Sequence, residues 1–241
     1  MKILVLSFII SLFSYLQAIQ TLGTVVSFKG SVKVKAEGSI KKERVSKGLS
    51  IHAGDIFVSS RNSSLILKLA DGSSVVLDEL SSIHFTSLHK SEQLKGKILY
   101  KITSRDARNS LKIKTPFAVI GIKGTTFIVT ATKENASVSL KEGRIGIASL
   151  NADFELYRKR VQKEFNDYRA KQDAAMQTQL DGFEKYKNKN AKYEKMQKTK
   201  AFDLEAGNKI SFNNQEAKEE GFSKNDDAEF THFKQLIDEM K

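Results

Sequence analysis

Three carboxylates, Asp71, Asp78 and Glu79, are the side chains best suited by type to acid–base work. A glycosidase would need two of them facing each other a few ångströms apart across a groove. Their surroundings point elsewhere. Asp71 opens an Asp71-Gly72 turn between two apolar runs, and Asp78-Glu79 closes the second run, so both are read as turn and strand-end residues. His52, His84 and His89 are the groups that would hold a metal, but no two of them stand four residues apart on a predicted helix. Gly121-Ile122-Lys123-Gly124-Thr125-Thr126 has the composition of a phosphate loop. A β-branched strand follows it where a phosphate loop needs a helix, so a structural turn is expected. The chain has no cysteine, which removes thiol nucleophiles, disulfides, Cys-bound zinc and iron–sulfur clusters. No catalytic residue, cofactor site or metal site is assigned, and the expectation is a protein that is not an enzyme.

The 241 residues carry 40 Lys and Arg against 28 Asp and Glu, a formal charge of +12. Such an excess suits a polyanion or an anionic surface. Met1–Ala18 decides between them. Lys2 precedes an apolar run from Ile3 to Leu16, too short for the ~20 apolar residues of a spanning helix and right for a signal peptide. Cleavage is expected between Ala18 and Ile19, with an uncleaved anchor as the alternative. Export turns the charge away from nucleic acid. The expected location is the periplasm or beyond the bacterial inner membrane. The expected partner is an envelope protein, with anionic cell-wall polymer as a further candidate. Membrane contact is expected only if the apolar segment stays uncleaved.

Residues 19–150 read as closely spaced short strands. Val32 and Val34 alternate with Lys33 and Lys35; Leu65–Leu69 and Val75–Leu77 flank Asp71-Gly72; Thr125–Thr130 is rich in β-branched residues. The pattern changes over 151–200. Phe154, Tyr157, Phe165, Tyr168, Phe183, Tyr186 and Tyr193 recur at largely helical spacing beside many lysines, with no proline. A helical insertion is expected there, either one rod or a hairpin bent at Asp181-Gly182, and these seven aromatics form the candidate interaction surface. Residues 201–213 return to strand character. Residues 214–241 are expected to be a polar linker and an amphipathic helix. Phe230, Phe233, Leu236, Ile237 and Met240 form its apolar face, with Asn225 or Asp226 as N-cap.

The β region resembles the FecR-domain family. Gly23-Thr24-Val25 and Gly30-Ser31-Val32 are similar to its opening strands. Gly48 to Ser59, with Gly54-Asp55, and Ser64 to Ser73, with Asp71-Gly72-Ser73, resemble the next two motifs. Thr115-Pro116-Phe117-Ala118-Val119-Ile120-Gly121-Ile122-Lys123-Gly124-Thr125-Thr126-Phe127 resembles the family's most specific stretch. Val138–Ile145 and Leu204–Asn208 resemble its closing segments. The resemblance singles out Asp55, Asp71, Gly72, Pro116, Gly121, Lys123, Gly124 and Thr125 as structural motif residues. Lys123 replaces the usual Arg, and a lysine cannot reproduce a planar bidentate contact.

The resemblance implies a mainly β periplasmic domain, a short-stranded sandwich or solenoid. The insertion and the C-terminal helix decorate it. Regulatory members carry a cytosolic sigma-factor-contacting region before a membrane helix; here the export segment comes first, so that region is expected to be lacking. The function expected first is a non-catalytic scaffold presenting a basic, aromatic helical surface to a protein partner. The alternatives are an envelope signal-transduction component and a binder of anionic wall polymer.

Overall fold

The computed structural model describes residues 21–103, 111–122, 124–150, 152–158 and 197–240. The expected signal segment, Lys123 and most of the expected insertion, with Phe165, Tyr168, Phe183, Tyr186 and Tyr193, lie outside these residues.

The described residues form a mainly β, mixed assembly with one C-terminal helix. One sheet runs in the order β4 (Ser50–Ile51), β1 (Gly23–Lys29), β6 (Ser64–Leu69), β7 (Ser74–Leu77), β9 (Lys90–Ile102), β12 (Thr125–Ala131), β13 (Asn135–Glu142), β18 (Asn208–Asn213), β19 (Glu216–Gly221), β15 (Phe154–Arg158) and β16 (Gln197–Thr199). The other runs β3 (Glu43–Arg44), β2 (Val32–Lys35), β5 (Ile56–Ser59), β8 (Ser82–Ser87), β9, β10 (Leu111–Lys114), β11 (Ala118–Ile122), β14 (Arg144–Ser149) and β17 (Ala201–Glu205). Pairs β9–β10 and β15–β19 are parallel and the other pairs antiparallel.

Strand β9 belongs to both layers. Its first half pairs with β8 and β10, and from Gly96 onward it pairs with β12 and β7. The change of layer happens at Gly96, whose φ is 88° and whose missing Cβ would overlap Ser81. At the same bend Gln93 is fully buried. Its amide donates to the carbonyls of Gly96 and Val129 at 2.9 and 3.0 Å, and its oxygen accepts from Tyr100 Oη at 3.0 Å. Each polar atom sunk at the crossing therefore has a partner, as low-dielectric surroundings require.

Period-two alternation builds the core between the layers. Leu65, Leu67, Val75, Leu77, Ile98, Tyr100, Phe127 and Val129 point inward from one sheet. Val32, Val34, Phe57, Ile83, Ile113, Ile120, Ile145 and Ile147 point inward from the other. Tyr100 stacks on Phe127 with ring centres 5.1 Å apart, and burial raises the Tyr100 phenol well above its usual pKa.

The opposite phase of the same strands makes a second apolar surface. Ile66, Val76, Leu99, Ile128, Ser139 and Lys209 are successive cross-strand partners. Helix α1 (Lys224–Glu239) lies over this row, with Phe230 and Phe233 packed on Ile66, Val76, Leu99 and Ile128. This explains why β6, β7 and β12 read as continuous apolar runs: both faces of those strands are covered.

Three boundaries differ from expectation. Residues 154–158 and 197–199 are strands, not parts of the helical insertion, because Phe154 and Leu156 alternate into the core. Residues 216–221 form β19, not a linker. Only Ala217 is buried there, and the strand is set by hydrogen bonding to β18 on one side and β15 on the other. The cap of α1 is Ser223, not Asn225 or Asp226. Ser223 Oγ accepts from the Asp226 N–H, and the Asp226 carboxylate takes the Ser223 N–H at 2.8 Å, a reciprocal capping box.

Candidate interaction surface

The carboxylates that would have served acid–base chemistry are occupied in turns. Asp71 accepts from Ser73 N–H at 3.1 Å and Ser73 Oγ at 2.6 Å, holding Gly72 at φ 84° between β6 and β7. Asp78 faces His232 Nε2 of α1 at 3.1 Å, and Glu79 accepts the Asn62 N–H at 2.6 Å. Asp55 is buried and accepts the His52 N–H at 2.8 Å, closing the turn into β5. Among the described residues no cluster of three His, Asp or Glu could hold a metal.

Pro116 sits in the bend between β10 and β11. Buried Thr115 accepts the Ala118 N–H through Oγ1 at 3.0 Å. Gly124 adopts φ 145° before β12, a conformation that favours glycine, and its carbonyl lies where a Cβ on Gly143 would be. Gly121 needs no such freedom. It lies within β11 opposite Gly146, and an added Cβ would meet nothing nearer than 3.8 Å. Thr125 is buried, and its Oγ1 has no hydrogen-bond partner among the described residues. Gly124 leads directly into strand β12, where a phosphate loop would lead into a helix.

The candidate aromatic surface divides. Phe154 is a core residue, 2% exposed, with its ring 5.7 Å from Phe202 and 5.4 Å from Phe212. It is not part of an exposed stripe. Tyr157 is half-buried in β15, opposite Lys218 of β19. The other five aromatics lie outside the described residues. The described strands on either side of segment 159–196 form a neck: Phe154 pairs with Thr199 and Leu156 with Gln197.

Beside this neck lies a cleft of about 530 Å³, between the β15–β16–β19 part of one sheet and strand β17 of the other. Arg158 ties its walls together. Its Nε donates to Glu219 at 2.7 Å, its second nitrogen to the Asp203 carbonyl at 2.8 Å, and its guanidinium lies 5.8 Å from the Phe202 ring centre. Asp203, Glu205, Glu219 and Glu220 line the cleft with Arg158, a locally acidic place on a basic chain. Sequence reading missed this because β19, which supplies two of the carboxylates, resembled a linker. The available signal was Asn213-Asn214-Gln215: Asn214 adopts φ 53°, as asparagine does in hairpin turns.

Helix α1 is anchored at its first turn. Asp226 is buried; its Oδ1 receives Lys209 Nζ at 2.8 Å and Ser139 Oγ at 3.3 Å. Burial pushes the Asp226 carboxyl up, but the hydrogen bonds from Lys209 and Ser223 and the lysine's charge outweigh it, bringing the pKa down to about 2. Lys97 meets Glu229 at 2.7 Å farther along, and Lys29 meets Glu239 at 3.0 Å at the other end.

Residues 55–146, from the start of β5 into β14, match the family described as FecR protein. The opening and closing segments of the resemblance, Gly23–Val32 and Leu204–Asn208, lie outside that match. No curated protein matches the chain. Two crystal structures of a candidate anti-sigma factor from Parabacteroides distasonis ATCC 8503, at 1.65 and 2.50 Å resolution, are similar to it. Each shows 15% identity and a TM-score of 0.44 over 69% of this chain. The chain spans 59% of the length of those proteins.

Proposed function

We propose that this chain is a non-catalytic regulatory component of bacterial envelope signalling, a FecR-type body that works by binding another protein. The observation that carries the reading is the FecR match over residues 55–146, because that stretch supplies strands to both layers and to the β9 crossing. The local chemistry is in keeping with it. Asp71, Asp78 and Glu79 are each engaged in a turn or a helix contact, so the residues best suited to acid–base work serve the fold.

Segment 159–196 is the recognition element of this reading. Its aromatic residues suit the buried centre of a protein interface and its lysines the polar rim, and the flanking strands β15 and β16 pair with each other. The test is deletion of 159–196 with a short Gly-Ser turn joining Arg158 to Gln197. The cut must spare Phe154 and Leu156, which belong to the core. Crosslinking in intact cells followed by mass spectrometry should capture an envelope protein with the full chain and lose it with the deletion. Equal capture by both would refute the role of the segment. Removing the chain from the cell should alter transcription in response to an envelope signal, and an unchanged transcriptome would refute the regulatory role itself.

A further inference from the structure

One end of the two-layer body carries features that neither the fold nor the proposed regulatory role uses. Strand β2 leads into a hairpin, residues 36–42, that returns as β3. At its tip Ile40 is 96% exposed, the most exposed of the large apolar side chains among the described residues. Two hydrogen bonds within the hairpin shape this tip. The Ser39 N–H donates to the Ala36 carbonyl at 3.1 Å, and Ser39 Oγ takes the Lys41 N–H at 3.2 Å. Lys41 and Lys42 follow Ile40 directly and are exposed.

The same end gathers more positive charge. Lys35 shares a cross-strand row with Ile56, His84, Glu92 and Lys114, and Lys90 faces Lys112 two residues nearer the end. Glu37 and Glu43 flank the hairpin and Glu92 pairs with Lys114 at 3.0 Å, so lysines 35, 41, 42, 90 and 112 outnumber the two remaining glutamates. The chain also joins the body here. Leu22 N–H donates to the Ile51 carbonyl at 2.7 Å, and Gly54, three residues on, packs under Glu37 and donates to Phe85.

We infer that this end of the body is a docking surface for an anionic phospholipid bilayer, with Ile40 entering the headgroup region and Lys41 and Lys42 meeting lipid phosphates. An exposed aliphatic tip beside lysines matches the two components of interfacial binding, apolar burial and attraction to anionic lipid. A soluble polyanion would use the lysines and leave Ile40 in water. Contact of this kind does not require the regulatory reading, and it holds whether or not residues 1–18 are removed.

The sequence has no tryptophan, so a full chain bearing Ile40→Trp reports from the tip alone. A second chain bearing Leu80→Trp reports from the opposite end, where Leu80 is exposed and linked through Ser60 to Ser31 at the β1–β2 turn. Vesicles of phosphatidylcholine with phosphatidylglycerol should shift the emission at position 40 to the blue, and brominated acyl chains should quench it. Phosphatidylcholine alone should have little effect, and position 80 should not respond. Adding Lys41→Ser and Lys42→Ser should weaken vesicle binding about 25-fold, about fivefold per lysine, and ionic strength near 0.5 M should suppress it. An unshifted emission at position 40, equal shifts at both positions, or the same shift with soluble polyphosphate in place of vesicles would each overturn the inference.

Discussion

Replacing Asp226 by Asn should weaken the seat of α1 while barely changing the side chain's shape. The carboxyl pKa is lowered from 3.8 to about 2 in the folded protein. That difference corresponds to about 2 kcal/mol favouring the folded state when the group is ionised. Because the folded value is the lower one, the contribution is fully present above about pH 4 and is lost as pH falls toward 2. The Asn variant also leaves Lys209, only 28% exposed, without its counter-charge. The expected loss at pH 7 is therefore about 2–3 kcal/mol, a fall in Tm of about 4–12 °C for a chain of this size. Urea denaturation followed by circular dichroism at several pH values would measure it. The gap between parent and variant should close as pH approaches 2. Lys209→Met should couple with Asp226→Asn in a double-mutant cycle. A variant within about 0.5 kcal/mol of the parent at pH 7, or a gap that stays constant down to pH 2, would refute the assignment of Asp226 as the ionised anchor.

Other substitutions test the architecture. Phe233→Ala, at a fully buried site between α1 and the sheet, should cost about 3–5 kcal/mol and render α1 sensitive to protease. Gly96→Ala should cost at least about 2 kcal/mol in a urea melt, since both the positive φ and the overlap with Ser81 oppose a Cβ at the β9 crossing. Tyr100→Phe should lose about 1–3 kcal/mol by leaving the buried Gln93 oxygen without a donor, whereas a loss below about 0.3 kcal/mol would show that the hydroxyl is dispensable.

The strands with clean alternation were readable in advance. Val32 and Val34 point inward and Lys33 outward, as period two requires. The Asp71-Gly72 turn joins β6 to β7 because only a residue at ease with positive φ fits there. Legibility failed where sheet membership rests on backbone pairing rather than side-chain pattern. Strand β19 reads Glu-Ala-Lys-Glu-Glu-Gly, with one apolar residue, yet it pairs on both sides. Phe154 failed for a different reason. Its spacing to Tyr157 fits a helix and its spacing to Leu156 fits a strand; the core contacts with Phe202 and Phe212 decide between them. The apolar face of α1 was visible as Phe230, Phe233, Leu236, Ile237 and Met240, but not the row it covers. The cleft beside the neck was invisible, since its walls come from β15, β16, β17 and β19, brought together only by the folded sheets.

By itself the sequence determined the β character of the described residues between 23 and 149, the turns that punctuate them, the amphipathic C-terminal helix and the excess of positive charge. These are local properties: a period, a dihedral preference and a count of side chains settle them within a few residues. The tertiary structure alone decided that β9 serves two layers and that Ile66, Val76, Leu99 and Ile128 form one row beneath α1. It also decided that Asp226 meets Lys209 and that Ile40 shares an end of the body with Leu22. Each joins residues distant in the chain through register and packing, and a single strand's pattern carries no information about which neighbour it will meet.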